Sequence, residues 1–71
     1  MTHSIKPWMV PGALATVHCL TRATRTPETP YLNCLTLYPG QYLMFEVQED
    51  RIGLYDPESA MVWVHPSVLQ P

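Results

Sequence analysis

The 71-residue chain is short of cations: four Lys and Arg stand against six Asp and Glu, for a formal charge of −2. A phosphate-binding surface needs clustered cations, so this balance speaks against nucleic acid as the main partner. Cysteine is also scarce. Cys19 and Cys34 are the only two, and no Cys-x-x-Cys or His-x-x-x-His spacing marks a metal site. Three isolated glycines leave no glycine-rich phosphate loop. No apolar run approaches the roughly 20 residues that a membrane helix needs. Pro7, Pro11 and Gly12 interrupt the apolar stretch of a secretory signal, despite Lys6 and the Ala-Leu-Ala at 13–15. A cytoplasmic setting with reduced thiols is the expectation. There is no internal repeat and no low-complexity tract.

What the chain does have is proline, eight in all, and a hydrophobic content of 46%. That content suits one globular domain. A chain this short buries only about 60% of its unfolded surface, so marginal stability is expected. Its charge is uneven. Residues 1–35 hold Lys6, Arg22 and Arg25 against Glu28, whereas residues 36–71 hold Arg51 against Glu46, Glu49, Asp50, Asp56 and Glu58. The acidic half either faces a basic partner or simply keeps the surface solvated.

The prolines divide the chain. Residues 1–12 read as an irregular arm whose apolar content is Trp8 and Met9, able to cover a core or dock on a partner. Residues 13–71 form the domain. Residues 13–23 alternate as one strand, with Ala15, Val17 and Cys19 on one face and Thr16, His18, Leu20 and Arg22 on the other. The threonines and valine favour strand over helix. Residues 24–30 are a loop held extended by Pro27 and Pro30. Leu35 and Leu37 alternate with Cys34, Thr36 and Tyr38 before a Pro39-Gly40 turn. Beyond it Leu43, Phe45 and Val47 are expected inside, and Tyr42, Met44, Glu46 and Gln48 outside. Gln48 to Arg51 make a polar turn. Ile52 and Leu54 point inward around Gly53, where a bulge or close backbone contact is expected. A turn at 56–59 leads to a last full strand, with Val62 and Val64 on one face and Met61, Trp63 and His65 on the other.

The run from Leu35 through Gly40, Leu43 and Phe45, followed by Val62, Val64, Pro66, Ser67 and Leu69, resembles the SH3-like barrel. The resemblance covers residues 13–70. It implies an all-β, five-stranded barrel with residues 24–38 as a long first loop. A C-terminal 3-10 turn after Pro66 would let Val68 and Leu69 plug the open end. Proline cannot donate to a ladder, so strand pairing should stop there. The "ALYDY" stretch, the adjacent Trp pair and the terminal aromatic of polyproline-binding members are absent; Leu69 stands at the last position. The segment Val62-Trp63-Val64-His65-Pro66 is also similar to the closing segment of plasmid type II dihydrofolate reductases. Those are tetramers that use a nicotinamide cofactor. Their substrate-facing Gln and Tyr are Trp63 and His65 here, which removes the expected contacts.

Weighed one by one, catalytic and metal constellations do not assemble. His3, His18, Cys19, Cys34 and His65 are the potential metal ligands. His18 and Cys19 would face opposite sides of a strand, so small buried thiols are the better account. A Cys19–Cys34 disulfide needs their strands to pair and an oxidising compartment. Cys-His nucleophilic chemistry lacks anything that brings its members together. The rings of Tyr31, Tyr38, Tyr42, Tyr55 and Trp63 could stack on bases, but the cations are scattered. No cofactor and no enzymatic activity are expected. The aromatic surplus opposite the core face marks a contact with another protein, basic in character, or with a second copy of the chain. The residues expected there are Tyr38, Tyr42, Met44 and Trp63, with Glu46 and His65 at the rim. A stand-alone chain of this size suits an inhibitor or adaptor carried by a phage or plasmid. A single-stranded nucleic-acid-binding barrel is the alternative.

Overall fold

The computed structural model describes residues 5–30, 34–58 and 60–71, with Ala60 described by its backbone alone. His3 and Tyr31, both named above as candidates, lie outside the described residues. The described chain is all-β. Its strands are β1 (Leu14–Val17), β2 (Thr21–Ala23), β3 (Leu35–Leu37), β4 (Gly40–Val47), β5 (Ile52–Asp56), β6 (Ala60–Val64) and β7 (Leu69–Gln70), with a 3-10 turn at Pro66–Val68 between the last two. A five-stranded antiparallel sheet has the order β6-β5-β4-β1-β7, and β2 and β3 form a separate two-stranded ribbon. The two sheets are not closed into one continuous barrel. They meet where Thr24 and Trp63 exchange two backbone hydrogen bonds, each 2.8 Å.

The core lies on the inner face of the large sheet. Ala15 and Val17 of β1, Met44 of β4, Ile52 and Leu54 of β5, and Val62 and Val64 of β6 are all buried there. The ribbon contributes Ala23 and Leu37, and the C-terminal segment contributes Leu69. Met9 of the arm joins the same cluster, with Ile5 and Trp8 packed against it. The arm continues onto β4: Gly12 N–H donates to the Met44 carbonyl at 2.7 Å, and Met44 N–H donates to Ala13 at 2.9 Å. Gly12 makes this join at a φ of 93°, in the left-handed region that only glycine enters cheaply.

The strand expected over residues 13–23 is two strands in different sheets. Ala15 and Val17 point inward as the alternation requires, but the chain breaks away at residues 18–20 and Cys19 is exposed rather than buried. The expected first loop is shorter than residues 24–38, because Leu35–Leu37 pairs with Thr21–Ala23. The two hairpin turns fall where expected. Gln48 N–H donates to the Arg51 carbonyl at 2.8 Å, and Asp56 Oδ1 accepts from Glu58 N–H at 3.1 Å. The C-terminal end also follows its local chemistry. Ladder pairing stops before Pro66, and the 3-10 turn returns Leu69 and Gln70 to pair with Val17 and Thr16. His65 caps the turn, its Nδ1 accepting from Ser67 N–H at 3.1 Å.

Candidate functional site

Strand β4 does not keep one phase. Met44 opposes Leu54, yet Glu46 opposes Gly53, so Phe45 is an extra residue in a β-bulge. Before the bulge Tyr42 and Met44 face inward. After it Val47, opposite Ile52, faces inward. Leu43, Phe45 and Glu46 are left on the outer face. The expectation of Leu43 and Phe45 inside with Met44 outside is therefore reversed: Met44 is fully buried and Leu43 is 42% exposed. A bulge shifts register by one residue, and with a period of two that exchanges the faces.

The displaced Phe45 lands on Gly53. A Cβ on that glycine would lie 2.6 Å from Phe45 Cζ and 2.8 Å from Cε2. From there the ring meets Trp63 edge-on, with centroids 5.2 Å apart and planes at 74°. Trp63 does face away from Val62 and Val64, as expected, but it is only 7% exposed. It is a wall of the outer face rather than an open ring.

Beside that wall runs a row the sequence reading did not assemble. Leu14 of β1 opposes Leu43 of β4, Leu43 opposes Tyr55 of β5, and Tyr55 opposes Met61 of β6. Directly opposed residues in an antiparallel sheet share a face. All four are apolar or aromatic, and their exposures lie between 42% and 57%. At a strand spacing of about 4.8 Å the row is about 14 Å long. On its far side the neighbouring pair is polar, Thr16 opposite Gln41. Among the described residues of the arm, Met9, Trp8 and Ile5 pack on the inner core and not on this row.

The remaining expected site residues are dispersed. Tyr38 is exposed at the bend between β3 and β4, and its carbonyl accepts from the Tyr42 hydroxyl at 2.6 Å. Tyr42 is half-buried on the inner side. Burial, then the nearby charges of Asp56 and Glu58, push its hydroxyl above the ordinary tyrosine range. Glu46 is exposed on the outer face and accepts from Gln48 Nε2 at 2.8 Å. His65 is half-buried and engaged with Ser67. So Tyr42 and Met44 do not share a face with Trp63, and the structure does not bring the six together.

Electrostatics set the row apart from the ribbon. Strands β1, β4, β5 and β6 contain no Lys or Arg; Glu46 stands on the outer face, whereas Asp56, out of phase with Tyr55, and Glu58 in the hairpin lie near Tyr42. Arg51 is buried, with Nη1 donating to Thr24 Oγ1 and Nη2 to the Thr29 carbonyl, each at 3.0 Å. This ties the β4–β5 turn to the loop after β2. Cys19 and Cys34 are both free thiols. Among the described residues no three His, Cys, Asp or Glu side chains gather in a way that could hold a metal ion, and no helix is long and apolar enough to cross a membrane. Set against known protein families, curated proteins and solved structures, the chain matches none.

Proposed function

We propose that this protein is a small non-enzymatic binding module, an adaptor or inhibitor, that contacts another protein through the outer face of its five-stranded sheet. The observation that carries this reading is the row Leu14, Leu43, Tyr55 and Met61, four successive cross-strand partners that all stand in solvent. Single exposed apolar residues are ordinary, but contiguous ones mark contact surfaces. Tyr and Met are also the residue types that interfaces favour. Glu46 sits at the rim, where a charge steers and orients a partner more than it adds affinity. For the fold we retain the SH3-like barrel in an incompletely closed form. Support comes from the 3-10 turn that feeds β7 back onto β1 and from the Thr24–Trp63 bridge between ribbon and sheet.

The rival readings have less behind them. Stacking on nucleic acid needs cations around the rings. Lys6, Arg22 and Arg25 lie on the arm, on the ribbon and just past the ribbon, and none stands on the four strands of the row. For a reductase of the type II kind, Trp63 occupies a substrate-facing position, but here it is packed against Phe45. The test is comparative capture from the native host. Wild type and a ribbon variant, Arg22→Ala with Thr36→Ala, should retain the same partner. Leu43→Ser with Met61→Ser should lose it at an unchanged circular dichroism spectrum. Equal capture by the row variant refutes the assignment of this face.

A further inference from the structure

The two sheets present four edges, and three of them are covered or blunted. The edges of β2 and β6 meet each other through the two hydrogen bonds between Thr24 and Trp63. The β7 edge is two residues long and runs into Pro71, which has no N–H to donate. β3 has β2 on one side and no strand on the other among the described residues. Proteins protect such an edge with charge, proline, a bulge or a covering segment. Cys34 to Tyr38 carries no charged residue, no proline and no glycine, and Leu35–Leu37 pairs with β2 in unbroken register. Thr36 is exposed, and Tyr38, one residue past β3, is 66% exposed. The backbone donors and acceptors along an open edge are answered by one kind of occupant, another strand.

The residues of β3 select which strand. Leu37 is buried and Leu35 packs against the core, while Thr36 between them faces solvent. Directly opposed residues in an antiparallel pair share a face, so an added strand must match leucines on the inner side and a small polar group on the outer. A second β3, turned about a twofold axis through Thr36, does so. Leu35 then opposes Leu37 of the other copy, twice over, and Thr36 opposes its own counterpart, a favourable cross-strand pair. A slip of one residue sets Thr36 against a leucine and turns every side chain to the wrong face. A slip of two leaves part of β3 without its copy. The Thr36-centred register also sets the exposed Tyr38 opposite Cys34 of the other copy. Charge raises no conflict, because Arg22, opposite Thr36 in β2, is the only charged residue of the two ribbon strands. The two copies of Arg22 stand three strand spacings apart, about 14 Å, beyond the screening length of about 10 Å in about 0.1 M salt.

We infer that this protein self-associates edge to edge, β3 against β3 of a second copy, giving a four-stranded antiparallel sheet in the order β2-β3-β3-β2. The contact is isologous and closes at two copies. It pairs about five residues a side and falls below the about 1,200 Å² of standard interfaces, so the dimer is weak and reversible. It uses a surface separate from Leu14, Leu43, Tyr55 and Met61, and it stands or falls independently of the contact face assigned above.

The test follows the full chain by sedimentation and amide NMR from about 10 µM to about 1 mM, a range suited to a weak contact. Association should rise with concentration, and the shifting amides should centre on Leu35, Thr36 and Leu37. Thr36→Glu faces Arg22 within its own ribbon but sets two like charges across the axis, so association should weaken about tenfold. Thr36→Lys should weaken it likewise, and an equimolar mixture of the two variants should associate at least as well as wild type. That rescue separates a lost contact from a lost fold. In a Cys19→Ser, Cys34→Ser background, Thr36→Cys should give a disulfide dimer on oxidation, because opposed Cα atoms about 4.5–5.5 Å apart lie within disulfide reach. Arg22→Cys, about 14 Å from its counterpart, should not. A chain that stays monomeric to about 1 mM overturns the inference, even where a foreign strand takes the edge. So does a dimer that Thr36→Glu leaves intact, a variant mixture that fails to associate, or the absence of a Thr36→Cys crosslink. A dimer that Met61→Ser dissociates overturns it as well, and assigns the second copy to the outer face instead.

Discussion

Gly53→Ala pits two opposite effects against each other at one atom. In a strand interior, replacing glycine with alanine removes freedom from the unfolded chain and stabilises by about 0.4–1 kcal/mol where the backbone tolerates it. Gly53 lies in mid-strand in β5 and has no positive φ, so its backbone accepts alanine. The obstacle is Phe45. The new methyl would lie 2.6, 2.8 and 3.0 Å from Cζ, Cε2 and Cε1 of its ring, well inside van der Waals contact. The ring must then leave Gly53 and, with it, its edge-on contact with Trp63. An aromatic pair of this kind contributes about 0.5–1.5 kcal/mol beyond area burial. Forcing a methyl into occupied space costs about 1–3 kcal/mol. Phe45 is half-buried and can swing outward, so the lower part of that range applies. The balance is a net destabilisation of about 1–2 kcal/mol.

The assay is urea unfolding followed by circular dichroism and, separately, by tryptophan emission, which reports Trp63 as well as Trp8. In a domain of this size each kcal/mol also lowers the thermal midpoint by about 4–8 °C. The decisive control is the Phe45→Leu background. With no ring to displace, Gly53→Ala should there be neutral or stabilising by up to about 1 kcal/mol. A coupling of opposite sign, or a Gly53→Ala variant more stable than wild type, would show that Phe45 does not rest on this glycine.

Two further outcomes follow from polar contacts. Arg51→Lys keeps the charge but gives up the fork that reaches both Thr24 Oγ1 and the Thr29 carbonyl, so a loss of about 1–3 kcal/mol is expected. Amide exchange at Thr24 and Trp63 should quicken more than at Leu54, and unchanged exchange there would separate Arg51 from the ribbon–sheet junction. Tyr42 has a folded-state pKa raised by burial and then by Asp56 and Glu58, so folding favours its neutral form. The stability this supplies is complete below the unfolded value of about 10 and is lost as pH rises through the folded value. The urea midpoint of wild type should therefore fall more steeply above pH about 10 than that of Tyr42→Phe, and parallel curves would refute the coupling.

Local chemistry was readable in the sequence and long-range register was not. Pro66 has no N–H to give a ladder, so the stop after Val64 was legible locally, whereas the 3-10 turn was expected from the SH3-like resemblance. Asp56-Pro57 and Gln48 to Arg51 likewise specify their turns through their own side chains and backbone. The break at residues 18–20 carries no glycine or proline. The chain leaves one sheet for the other there under tertiary pairing alone, with Val17 bound to β4 and β7 and Thr21 to β3. The row of Leu14, Leu43, Tyr55 and Met61 is spread over four strands, and only their register aligns it. One local sign was present: Gly53, a strand interior without a side chain, marked a place where something else must come close.

What that something is follows from the core. Met44 must face Leu54 and Val47 must face Ile52, because all four contribute to or pack against the inner cluster. Residues 44 and 47 are three apart, and a ladder of period two cannot turn both to one side. One extra residue between them can, and Phe45 is that residue. Its bulky ring cannot stand opposite another side chain on the outer face, so the partner position is glycine. Trp63, paired with Gly53 from β6, then has a ring to lie against and is withdrawn from solvent. Leu43, ahead of the bulge, stays in the outward phase beside Tyr55. The demands of the interior thus decide which apolar groups are left outside: they conceal the tryptophan that composition would nominate for a contact, and they expose the leucine that alternation would bury.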